Sequence, residues 1–192
     1  MQVMRMWNVI AMVVLLGLAS GSEAGVTIHY EGKAKNRAAI ARVLDIARAE
    51  AHRLNWAVAE ANVDSAQLTR IVNETEQPYK GRLTGVVIRP HALCEPLYIQ
   101  FGRDLFLQDY VKTQFAGAEV HAAVVGLLRK IAPYFEHFDV MDEGEYWDTN
   151  DRVALKNHLA FTDKTIAAIV TRNPRARVRV KTPEGRFIDI IQ

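Results

Sequence analysis

The chain alternates between two hydrophobic periods. Val26–Glu31 (VTIHYE) alternates apolar and polar positions and predicts a strand. Asn36 then stands where a helix cap belongs, and Ile40, Val43, Leu44, Ala47, Ala51 and Leu54 follow at helical spacing. Arg37, Arg42, Arg48 and Arg53 fall off that stripe, as expected for a water-facing side. Trp56 is expected to pack the exit of this helix against a sheet.

The middle of the chain reads as sheet. Gln67–Asn73 predicts a strand, followed by a polar turn through residues 74–78. Leu83–Arg89 predicts a second strand ended by Pro90, and Pro96–Phe101 a third. The segment Gly102-Arg103-Asp104 then predicts a tight turn into Leu105–Val111, closing a hairpin.

Helical spacing returns at Val120, Val124, Leu127, Leu128 and Ile131. Pro133 interrupts it, with Tyr134–Phe138 expected as one further turn and Val140-Met141 as a brief strand. Asn150 or Asp151 caps a third helix through Val153, Leu155, Leu159 and Phe161. Thr162 restarts it over Ile166, Ile169 and Val170, and Asn173-Pro174 stops it. Alternation on both sides of the turn at residues 182–185 predicts a terminal hairpin from Arg177–Lys181 and Arg186–Ile191. Short connections between neighbouring strands favour antiparallel pairing. The expected fold is therefore α+β, a single domain over residues 25–192 with helices packed on one face of a mainly antiparallel sheet.

Composition changes this picture little. At 192 residues, 49% apolar and 24% charged, the chain has the make-up of an ordinary globular protein. A formal net charge of +2 carries no electrostatic footprint of a nucleic-acid binder. The run Arg172, Arg175, Arg177, Arg179 and Lys181 alternates with Val178 and Val180, so it reads as a strand with a solvated basic face.

The first residues read differently from the rest. Arg5, the apolar run Trp7–Leu18 and the small pair Ser22 and Ala24 have the layout of a signal peptide over residues 1–24, cleaved after Ala24. The run is shorter than the roughly 20 residues that span a bilayer. Export to a periplasmic or secreted location is the expectation, with membrane contact only through an uncleaved segment. Cys94 is the sole cysteine, so no internal disulfide forms.

The candidate site is the stretch Asp139–Asp151, where Asp142, Glu143, Glu145, Tyr146, Trp147 and Asp148 combine acids with aromatics. Such a pairing suits recognition of a basic protein partner, the acids steering and the rings anchoring. The acid spacing does not match a calcium loop, and no metal or cofactor is assigned. A second set is His91, Cys94 and Glu95: two ligand types in one short connection do not close a zinc site, and Cys94 as nucleophile needs a histidine brought to it. A third is the polar entrance to the second helix, Lys112-Thr113-Gln114 and Glu119-Val120-His121, which lacks any phosphate-loop pattern. Two functions follow. One is an exported non-catalytic binding protein, of inhibitor or immunity type. The other is an exported hydrolase-like enzyme using Cys94 or His121 with one of the acids. Convergence of Cys94, a histidine and an acid in a cleft would favour the enzyme; a sealed Cys94 would favour the binder.

Overall fold

Each inward-facing side chain of the sheet comes from the period-2 alternation, and the helices cover only that side. The computed structural model describes residues 25–72, 75–183 and 185–191. Strand β1 (Thr27–Ala34) is the middle of a three-stranded antiparallel sheet, flanked by β6 (Phe106–Lys112) and β7 (Phe135–Asp142). The register puts Ile28 opposite both Val111 and Asp142, and Tyr30 opposite both Asp109 and Val140. Ile28, Tyr30, Leu107 and Val111 are buried in the common core, whereas Asp139, Met141 and Tyr110 on the other face are exposed.

Helix α1 (Arg37–Arg53) starts as expected: the Asn36 Oδ1 accepts from the Ala39 amide at 2.8 Å, a cap that contributes about 1 kcal/mol. Its stripe Val43, Leu44, Ala47 and Ala51 is buried. After Trp56, which packs half-buried against the core, come β2 (Ala57–Glu60) and β3 (Val63–Val72). Both lie along the same edge of β4 (Thr75–Arg89), β2 pairing with Val86–Arg89 and β3 with the part from Thr75 to Leu83. The polar turn expected over 74–78 is thus mostly strand. Pro78 sits opposite Thr69 inside the ladder, and residues 73–74 lie outside the described residues. Strand β5 (Leu97–Phe101) takes the other edge of β4.

The expected hairpin between β5 and β6 is only half made. Gly102 N donates to the Phe106 carbonyl at 3.0 Å, and Glu95 N donates to the Lys112 carbonyl at 3.1 Å. Between these two ties no ladder joins the strands among the described residues, and they belong to different sheets. Side chains occupy the opening. The Tyr30 hydroxyl donates to the Tyr98 carbonyl at 2.8 Å, a group that a regular hairpin would have paired with β6.

Helix α2 (Ala118–Ile131) buries Val124, Leu127, Leu128 and Ile131 as its spacing predicts. A single 3-10 turn (Ala132–Tyr134) accommodates Pro133, and the chain then becomes β7 rather than a further helical turn. Pairing with β1 decides this, because an edge position on the sheet satisfies backbone groups that one isolated turn leaves open. A one-turn helix α3 (Tyr146–Thr149) precedes α4 (Arg152–Arg172), whose cap Asp151 accepts from the Val153 and Ala154 amides. Helix α4 runs unbroken through Thr162. Its buried stripe is Leu155, Leu159, Thr162 and Ile166, while Val153 and Phe161 face solvent. The terminal hairpin, β8 (Arg177–Lys181) with β9 (Phe187–Ile191), forms as expected. The molecule is one α+β domain with mainly antiparallel sheets. None of its described helices is long and apolar enough to cross a membrane.

Candidate functional site

The acidic segment is divided by the alternation of β7. Asp142 occupies an inward position, in line with Val140 and beside Ile28, so its carboxylate enters the core. There Oδ1 accepts from the Gly144 amide at 2.8 Å, and Oδ2 accepts from the Trp147 amide at 2.9 Å and faces His121 Nε2 at 3.0 Å. The other imidazole nitrogen, Nδ1, lies 2.7 Å from Thr113 Oγ1. Burial by itself would raise the Asp142 pKa, but the His121 contact and the two amides outweigh it and hold the carboxyl below its usual range. Gly144 closes the top. A Cβ there would meet Leu155 Cδ1 at 2.7 Å and His121 Cε1 at 3.0 Å, so any larger residue would make the Leu155 methyl give way.

The rest of the segment is built on this anchor. Tyr146 is buried, its ring edge-on to His121 at 6.3 Å, and Trp147 is half-buried at 6.4 Å from Phe138. Arg129 of α2 donates to the carbonyls of Tyr146 (3.0 Å) and Trp147 (2.7 Å) and to Asn150 Oδ1 (2.9 Å), so it caps the C-terminal end of α3. Glu143 Oε2 accepts from the Thr27 amide at 2.7 Å, tying the turn to the start of β1. Glu145 and Asp148 are exposed, Glu145 lying 3.4 Å from His158. Of the six residues singled out from the sequence, two point into the core, two are partly engaged and two are on the surface.

Thr113, His121 and Asp142 follow the order hydroxyl, imidazole, carboxylate, the order of an activated nucleophile. Access decides against it. Thr113 and His121 are fully buried. The helix-entrance patch is partly engaged: Gln114 is buried with Oε1 accepting from the Val26 amide at 3.1 Å, while its Nε2 has no hydrogen-bond partner among the described residues, and Glu119 is ion-paired with Arg152.

His91, Cys94 and Glu95 do not form a reactive set either. Cys94 is buried at 4% exposure, and burial together with the neighbouring Glu95 charge pushes its thiol up to about 12, so it stays protonated. Glu95 is turned inward as an organiser. Its carboxylate accepts from the Phe187 amide (2.6 Å), the Lys112 amide (3.1 Å) and Arg186 (3.2 Å). Arg186 also donates to Asp109 (2.5 Å) and to the Tyr110 carbonyl (2.6 Å), and lies 4.1 Å over the Tyr110 ring. Burial raises the Asp109 carboxyl above its usual value in spite of Arg186. This cluster fills the opening between β5 and β6 and pins the terminal hairpin to the sheet. Sequence reasoning passed over Asp109 and Arg186. The signal was an acid at an inward position between Leu107 and Val111.

Among the described residues, no three histidines, cysteines or acids are placed to share a metal ion. Compared with protein-family models, with curated proteins and with solved structures, the chain matches none.

Proposed function

We propose that this is an exported, non-catalytic protein that binds a basic partner through the turn and helix from Glu143 to Asp148. One observation carries the reading: α3 is anchored from beneath by hydrogen bonds to Asp142 and Arg129 and by its own buried Tyr146, while Glu145 and Asp148 are exposed. A recognition element fixed in advance loses little conformational entropy on binding, and its charges steer a cationic partner. His121 is fully buried, and Cys94, nearly buried at the wall of a cleft, keeps a neutral thiol, which agrees with a role in binding. Export rests on the N-terminal residues 1–24, which lie outside the described residues.

The test is capture of a partner by the full chain and by the Glu145→Lys, Asp148→Lys variant. Asp142 and Glu143 are left intact because each holds backbone amides of the fold. Loss of a stoichiometric basic partner in the variant, with an unchanged unfolding curve, supports the proposal. Equal capture by both proteins refutes it.

A second reading draws on the pair His121–Asp142, a histidine joined to one of the loop acids at 3.0 Å. It requires an opening of the Gly144 turn that bares Thr113. Labelling of Thr113 by a hydroxyl-directed fluorophosphonate would establish that reading.

A further inference from the structure

We propose a binding site for a small anionic ligand, carrying a phosphate or carboxylate group, in the cleft between the end of α1, the start of β2 and the connection following Pro90. It is separate from the acidic segment and does not depend on the function proposed above. The cleft holds about 310 Å³, at the lower end of the range for small-molecule sites.

Three elements bring a basic side chain to it. Arg89 comes from the last position of β4, opposite Ala57; His91 comes from the connection after it; Lys181 comes from the end of β8. No carboxylate lines the cleft among the described residues. The nearest acid in sequence, Glu95, is turned away and already answered by the Phe187 and Lys112 amides and Arg186. Arg89 also has no ion-pair partner among the described residues, whereas Arg48, Arg53, Arg70, Arg152 and Arg186 each have one.

Local geometry sets the donors. His91 Nδ1 accepts from the Leu93 amide at 3.1 Å, so in the neutral ring the proton resides on Nε2, which remains a donor. Asn55, held at φ 56 by the turn that ends α1, adds a side-chain amide to the rim. The remaining wall is apolar, formed by Ala57, Ala92, Pro96 and the nearly buried Cys94. A planar guanidinium, an ammonium and an imidazole over an apolar wall suit a compact organic anion better than a free inorganic one.

The experiment is an amide NMR titration of the full chain with inorganic phosphate and, separately, with succinate, at ionic strength held constant with sodium chloride. Saturable shifts at the amides from His91 to Glu95 are expected with at least one probe. Response to phosphate alone assigns a phosphate group, and response to succinate alone assigns a carboxylate. Arg89→Gln should weaken that binding by at least about tenfold, since a charge-assisted hydrogen bond is lost. Its spectrum elsewhere should be unchanged, which shows that the variant is folded. Absence of saturable shifts with both probes, or wild-type affinity in Arg89→Gln, would overturn the proposal.

Discussion

Two aspartates flank β1 on the same, helix-facing side, and the fold treats them in opposite ways. Asp142 stands beside Ile28 on β7; Asp109 stands beside Tyr30 on β6. Asp142 meets two amides aimed at it by the Gly144 turn and α3, and an imidazole from α2. Its charge is solvated by the protein, and its pKa falls although burial opposes that. Asp109 meets Arg186 and the amide of Tyr110, and there burial wins, so its pKa rises. The same residue type at equivalent sheet positions is therefore a structural anion in one place and a reluctant one in the other. What differs is the number of fixed dipoles that the backbone supplies.

The comparison breaks most sharply at Asp142. Asp142→Ala leaves two amides and His121 without their acceptor in a sealed site, and should cost about 3–5 kcal/mol in urea unfolding. A loss under 1 kcal/mol would mean that the network is dispensable. Next comes Arg186→Ala, which strands the buried Glu95 and the half-buried Asp109, with an expected loss of about 2–4 kcal/mol. Cleavage of the terminal hairpin by trypsin should accelerate with it, because Arg186 and Glu95 tie that hairpin to β6. An unaltered digestion rate would show that the hairpin holds by its apolar contacts alone.

The smallest effect is the most diagnostic, because its sign differs between the two sites. A carboxylate with a depressed folded pKa adds stability above its unfolded value, near 3.8, and loses it as pH falls through the folded value. Glu50, drawn down to about 2 by Arg53 and Lys130 against burial, behaves the same way from about 4.5 downward. Asp109, with a raised folded pKa, does the reverse: its contribution is present below 3.8 and is lost as pH rises through the folded value. Unfolding curves from pH 7 to 3 should therefore show Asp142→Asn converging on wild type only below about pH 4. Asp109→Asn, within about 1 kcal/mol of wild type throughout, should gain on it as pH rises. Parallel pH profiles for the two variants would remove the distinction drawn here.

Legibility followed the range of the interaction. The Asn36 cap, the apolar stripes of α1 and α2 and the terminal hairpin depend on neighbours a few residues away, and all were readable. The acidic segment was readable as a place and misleading as a surface. Asp139 and Asp142 look alike in a list of charges, yet three residues' separation on a strand reverses the side each faces. The β5–β6 turn was readable, but the side chains that keep those strands apart were not. Arg186 reaches the seam from 91 positions beyond Glu95, and Tyr30 reaches Tyr98 across 68.

By itself the sequence determined the type and approximate extent of most elements, the α+β class and the identity of the residues able to carry charge or chemistry, because period and capping are local properties of the chain. Tertiary structure alone decided which of those residues would be spent inside. Burial of an aspartate, a histidine or a cysteine depends on whether distant amides and counter-charges arrive to replace the lost water. Here they arrived at His121, Asp142 and Glu95, and Cys94 was kept as a neutral thiol. Glu145, Asp148 and the Arg89 cleft were left facing solvent.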